Sequence, residues 1–123
     1  MNCYCGSNIL FDSCCEPYLI GKNIPSSPED LMRSRYTAYC IVDIEYLAAT
    51  THISTRKLYS KQSIKEFATT NQWLKLEIVS SSENTVDFKA YYLDYKLQPK
   101  IHHEISTFVH ESGNWYYVDW VYK

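Results

Sequence analysis

An α+β arrangement, helices first and an antiparallel sheet after them, is what this chain of 123 residues predicts. Two observations carry that expectation. Apolar residues recur at three- and four-residue spacing from about Pro28 to Asn71, then at a spacing of two from Trp73 onward. A third observation stands apart from the fold: Cys3, Cys5, Cys14 and Cys15 crowd a stretch too short to build a core.

Residues 1–17 are Cys-rich and irregular, with Gly6-Ser7 as a turn signal and Pro17 closing the segment. Residues 18–27 read as a linker, and residues 28–123 as the main domain. Ser27 is a natural N-cap, Pro28 suits the first helical position, and Glu29 and Asp30 favour the positive helix end. The spacing predicts helix through about Cys40, with Met32, Tyr36 and Tyr39 on one stripe and Leu31, Arg35 and Ala38 on the next. A short helix is expected over Asp43 to Ala49, irregular chain over residues 50–60, and a third helix over Ser63 to Asn71.

In the β half, Leu74, Leu76 and Ile78 alternate with Lys75 and Glu77, and Ser80 to Asn84 is a turn cluster. Thr85 to Tyr95 carries Val86, Phe88, Ala90 and Tyr92 on one side. A third strand is expected over Ile101 to Glu111, a hairpin loop at Ser112-Gly113-Asn114, and a last strand over Trp115 to Tyr122. Strict alternation puts Trp115, Tyr117 and Asp119 on one face and Tyr116, Val118 and Trp120 on the other. Large apolar groups on both faces imply that both are covered. The helices would cover one. A second copy of the chain, as a homodimer, or the apolar linker with Tyr18, Leu19 and Ile20 would cover the other.

Composition narrows the class. A 46% hydrophobic, 21% charged chain can fold a real core, and a net charge of −2 lacks the basic excess of a nucleic-acid binder. No apolar run approaches the roughly 18–20 residues of a membrane span, and no signal-peptide pattern opens the chain. A cytoplasmic location, with thiols kept reduced, is therefore expected.

In such a compartment the pattern Cys-x-Cys-x8-Cys-Cys suits four thiolates around tetrahedral Zn²⁺. A bond between the adjacent Cys14 and Cys15 would be strained. Their Cα atoms sit about 3.8 Å apart, below the roughly 4.4 Å lower end of ordinary disulfides. Two crossed bridges in an oxidised sample, or unpaired thiols on a frayed terminus, are the rival readings. A site saturated by four thiolates offers no open coordination position, so its role would be structural or in displaying a surface. Cys40, on the apolar helix stretch, is expected to pack as a small hydrophobe.

Cys3-Tyr4-Cys5-Gly6-Ser7 with Cys14-Cys15 resembles the SEC-C zinc motif, best known from the C-terminal tail of the SecA translocation motor. The run Leu31-Met32-Arg33-Ser34-Arg35-Tyr36-Thr37-Ala38-Tyr39 is similar to the hallmark of the bacterial YchJ family. Trp73-Leu74-x-Leu76, Glu104-x-Ser106-x-Phe108 and Trp115-Tyr116-Tyr117-Val118-Asp119 continue the likeness. The resemblance implies a zinc knuckle followed by a fold like nuclear transport factor 2, a cone of helices on a curved four-stranded antiparallel sheet. Tyr4 stands where that motif usually has Pro, and Asn8 where it usually has Gly. Lysines are common between the cysteine pairs of such motifs; here Asn8 to Asp12 is apolar and acidic, which weakens any basic docking role.

A cone of this type often holds a pocket, for which Arg33, Arg35, Tyr39, Trp73, His103, Glu104, Tyr117 and Asp119 are candidates. Arg35 and Glu104 could pair inside it. His102 and His103 point to opposite faces, His52 lies in a Thr/Ser loop, and His110 lies near a hairpin. These four form no metal spacing. Two functional classes follow: a zinc-containing accessory or adaptor protein whose knuckle meets a protein partner, or a small-molecule binder or enzyme using the pocket.

Overall fold

The computed structural model describes residues 1–123. Five helices precede a meander of four strands: α1 (Glu16–Leu19), α2 (Pro28–Ile41), α3 (Ile44–Ala49), α4 (Ile53–Arg56), α5 (Lys61–Thr70), β1 (Gln72–Ser81), β2 (Thr85–Leu93), β3 (Pro99–Glu111) and β4 (Asn114–Tyr122). The strands pair antiparallel in the order β1-β2-β3-β4.

Local chemistry sets the helix starts. Ser27 Oγ accepts from Asp30 N at 3.1 Å, Asp43 Oδ1 from Tyr46 N at 3.1 Å, and Ser60 Oγ from Ser63 N at 3.1 Å. Each satisfies an amide that the helix cannot, for about 1 kcal/mol. α2 ends at Val42, whose φ of 60° is left-handed, while Asp43 N reaches back to Ala38 O at 2.8 Å.

The core lies between α2 and the concave sheet face. Leu31, Met32 and Tyr36 meet Leu76, Val86, Phe88, Ala90, Phe108 and Tyr117 there. A smaller cluster of Ala38, Leu47 and Ile64 joins α2, α3 and α5. The four buried positions Val86, Phe88, Ala90 and Phe108 all obey the alternation of their strands.

Three bulges break that alternation and curve the sheet. In β1, Leu74 and Val79 are extra residues between paired neighbours, so both are exposed, and Trp73 rather than Leu74 joins Leu76 and Ile78 on the inner face. In β4, Phe108 pairs with Tyr117 and Thr107 with Asp119, which leaves Val118 unpaired. The bulge at Val118 therefore corrects the predicted faces. Trp115, Tyr117, Trp120 and Tyr122 turn inward, and Asp119 turns out to solvent. Much of the two-faced apolar pattern of β4 is this change of phase.

Residues 50–60 are also more ordered than their sequence predicts. His52 N donates to Tyr117 O at 2.7 Å and Tyr117 N to Thr50 O at 2.8 Å, so the chain docks on the β4 edge before α4. β2 stops at Leu93, short of Tyr95, because Asp94 Oδ1 accepts from Lys96 N at 2.9 Å and Gln98 N at 3.0 Å. α1 runs across the boundary expected at Pro17, and its Leu19 packs on the helix side, between the cysteine cluster and Ala38, Leu47 and Ile64. The linker thus does not cover the outer sheet face. That face carries exposed Ile101 and Val121 beside a buried Asp87 held by His103 (2.6 Å) and Lys123 (2.7 Å).

Candidate functional site

Two sites stand on this frame, a cysteine cluster in front of α2 and a cavity within the cone. Asn2 bridges to Leu10, and Cys3 N donates to Ile9 O at 2.8 Å, closing a loop that faces Cys3 and Cys5 toward Cys14 and Cys15. Gly6 and Asn8 turn it with φ of 80° and 65°. At the position where the motif usually has Gly, Asn is the residue that next best tolerates that region.

The four sulfurs lie within 4.8 Å of one another, with Cys5 to Cys14 at 3.6 Å and Cys14 to Cys15 at 3.9 Å. Sulfurs bound about 2.3 Å from a tetrahedral zinc would be separated by about 3.8 Å, so the cluster has the dimensions of a four-thiolate metal site. Its charge state points the same way. Cys15 beside it holds the Cys5 thiol down, to about 4. Burial pushes Cys14 up to about 11, and the neighbouring Cys5, with burial, raises Cys15 as well. Crowded sulfurs resist carrying several negative charges together, and a divalent cation removes that resistance.

The cluster is pinned to the main domain by α2. Arg33 Nη1 donates to Cys5 O at 2.8 Å while its Nε meets Glu29 at 3.1 Å, and Cys3 Sγ sits 3.8 Å from Thr37 Oγ1. Arg33 is thus committed to the knuckle rather than to the cavity. Cys40 stays a packed thiol, pushed up to about 12 by burial.

The cavity, of about 350 Å³, opens between α2, α5 and the concave sheet face. Arg35, Tyr39, Glu104 and Tyr117 line it, as their strand and helix phases predict, together with Tyr59, Phe67, Tyr92, Ser106, Trp120 and Tyr122. Trp73 stands behind the wall, packed on Tyr39, Phe67 and Tyr92, with its indole N–H on Ala68 O at 3.1 Å. Asp119 is outside, on the far side of the bulge. His103 is also outside, on Asp87.

Arg35 and Glu104 share the cavity without pairing. Glu104 is held by His102 Nε2 on one oxygen and by Ser106 Oγ, at 2.5 Å, on the other. His102 is the residue that sequence reasoning missed, although its i,i+2 spacing to Glu104 puts both on one strand face. Burial pushes the Tyr39 and Tyr117 phenols above the ordinary tyrosine range, so both remain neutral.

A cone of helices on a curved four-stranded sheet, preceded by a cysteine knuckle, defines a SEC-C protein with an NTF2-like domain. This chain belongs to the YchJ family: residues 27–120 match the family model described as "YchJ, middle NTF2-like domain". A UPF0225 protein of Geobacter sulfurreducens is 36% identical over 95% of this chain and 76% of its own length. One from Haemophilus influenzae is 35% identical over 96% and 76% respectively. The solution structure of a SEC-C motif containing protein from Rhodopseudomonas palustris superposes with a TM-score of 0.92 at 34% identity, covering 100% of this chain and 99% of that one. The crystal structure of another, from Psychrobacter arcticus, gives 0.82 at 30% identity over 95% and 80%.

Proposed function

We propose that the protein is a zinc-containing adaptor of the cytoplasm, and that its knuckle binds a protein partner through an apolar loop. One observation carries this reading. The sulfur cluster turns its loop away from the domain, leaving Ile9 and Leu10 half exposed beside Met1. Four thiolates close the metal's coordination, so the ion fixes the loop and takes no substrate. Arg33 and Thr37 hold the knuckle against α2, which gives the displayed surface a fixed base. Side chains of this kind, held rigid and free of charge, suit an apolar segment of another protein rather than an acidic or nucleic-acid partner.

Metal analysis of reduced protein should return about one zinc per chain, and Cys5→Ser should abolish it. Leu10→Asp should keep zinc and the melting midpoint yet lose the partners that crosslink to the parent protein. Zinc near zero in folded, reduced material would sink the metal assignment. Unchanged crosslinks in Leu10→Asp would sink the docking role.

A further inference from the structure

The cone cavity contains a buried charge that no group of opposite charge meets. Arg35 is only 5% exposed. Its Nη1 donates to three neutral oxygens, Leu47 O at 3.0 Å, Thr50 Oγ1 at 2.7 Å and Thr51 Oγ1 at 3.3 Å. The guanidinium lies 4.5 Å over the Tyr117 ring. No carboxylate oxygen comes within 4.0 Å of it. Its Nε and Nη2 have no protein acceptor and neither is fully buried, and Arg35 lines the cavity.

A buried guanidinium ordinarily meets a carboxylate or a phosphate, because leaving its charge unpaired in a poorly solvated place is strongly unfavourable. Glu104 is the nearest candidate in the same cavity, but His102 and Ser106 occupy its oxygens. The strand register keeps the two charges apart. Tyr117, under Arg35, pairs with Phe108, and Glu104 stands four residues before Phe108 on β3, with no carboxylate oxygen within 4.0 Å of the guanidinium. Between these ends the walls are aromatic: Tyr39, Phe67 and Trp120.

We propose that the cavity binds a small ring-bearing carboxylic acid. The carboxylate takes the free edge of Arg35, whose flat face is already stacked on Tyr117, in the two-point geometry that suits a planar acid. The ring lies against the aromatic walls, with its far end toward the Glu104 side of the cavity. A doubly charged phosphate fits less well, because Glu104 faces the same space. At about 350 Å³ the cavity is at the small end of ordinary ligand sites, which run from roughly 300 to 1,000 Å³. This site is independent of the knuckle and of any partner it binds.

The test is a titration of the full chain with 4-hydroxyphenylacetate, its methyl ester and inorganic phosphate, followed by tryptophan fluorescence and amide NMR shifts. The acid should saturate and shift the amides of Tyr117, Trp120 and His102. The ester should bind at least about tenfold more weakly, as loss of a charged hydrogen bond requires. Arg35→Gln should remove that preference. Since Arg35 also ties down residues 47–51, a second variant guards the test: Ser63→Trp, on the exposed rim of α5, should fill the mouth and abolish binding while keeping a cooperative melt, lowered by no more than about 4 °C for the lost Ser60 contacts. No saturation by the acid up to about 10 mM, equal binding of acid and ester, tighter binding of phosphate than of the acid, or binding indifferent to Ser63→Trp would each overturn the proposal.

Discussion

Val42 ends α2 in a conformation that its branched side chain opposes. A β-branched residue at a φ of 60° is a true outlier, and left-handed backbone costs a non-glycine residue about 1–2 kcal/mol. Glycine removes that cost but gives back about 0.5–1 kcal/mol of unfolded-state entropy. Val42→Gly should therefore stabilise the protein by about 1 kcal/mol, a rise of about 4 °C in Tm by calorimetry. A fall would mean that the half-exposed Val42 side chain packs better than its surroundings show. Asp87 makes a prediction of opposite character. Lys123, and then His103, hold its carboxyl below the usual carboxylate range. A depressed folded-state value stabilises above the unfolded value of about 3.9, and that contribution disappears as pH falls through the folded one. Asp87→Asn should lower Tm near neutral pH, and the gap to the parent should close toward about pH 2. A gap that stays constant with pH would show that the loss is one of packing alone.

At the scale of elements, the knuckle and the cone are joined by few links. The cysteine cluster and the main core share no buried residue, and the ties between them run through Arg33, Thr37 and Leu19. The cone core is complete in α2 and the sheet. With the proposed metal in the cluster, adding a chelator under reducing conditions should collapse the amide dispersion of residues 1–15. The cone should keep a cooperative unfolding transition, lowered by about 5 °C, the effect of roughly 1 kcal/mol of lost contacts in a domain of this size. Loss of cooperativity would mean that the knuckle is part of the core. The bulge in β4 acts on the same scale. By adding Val118 it brings Trp120 and Tyr122 to the cavity face, and without it those two rings would point away from Arg35 and Glu104.

The whole molecule has one side with no chain over it, the outer face of the sheet. Ile101 and Val121 are exposed there, but Asp87, His103 and Lys123 form a charged network among them. The expected homodimer would bury this mixed surface. Light scattering at several concentrations should then show a mass near twice that of the chain, and Val121→Lys should return it to one. A single-chain mass at every concentration would leave this face to water, with the charged network as the reason.

How much of this was legible in the sequence follows the range of the forces involved. The cap at Ser27, the phase of Val86 to Tyr92 and the cysteine cluster depend on groups a few residues apart or on ligand chemistry. The residues alone therefore determined them. Of the eight pocket candidates, Arg35, Tyr39, Glu104 and Tyr117 line one cavity, where helix and strand phases count reliably from a fixed start. Only the tertiary structure decided where that count fails. It inserted Val118 between the β4 partners of the adjacent Thr107 and Phe108, sent Asp119 outward, and docked residues 50–52 on the β4 edge. It also gave Glu104 to His102 and Ser106 instead of Arg35. Each of those outcomes balances strand register against contacts between segments far apart in the chain, and no local window holds both sides of that balance.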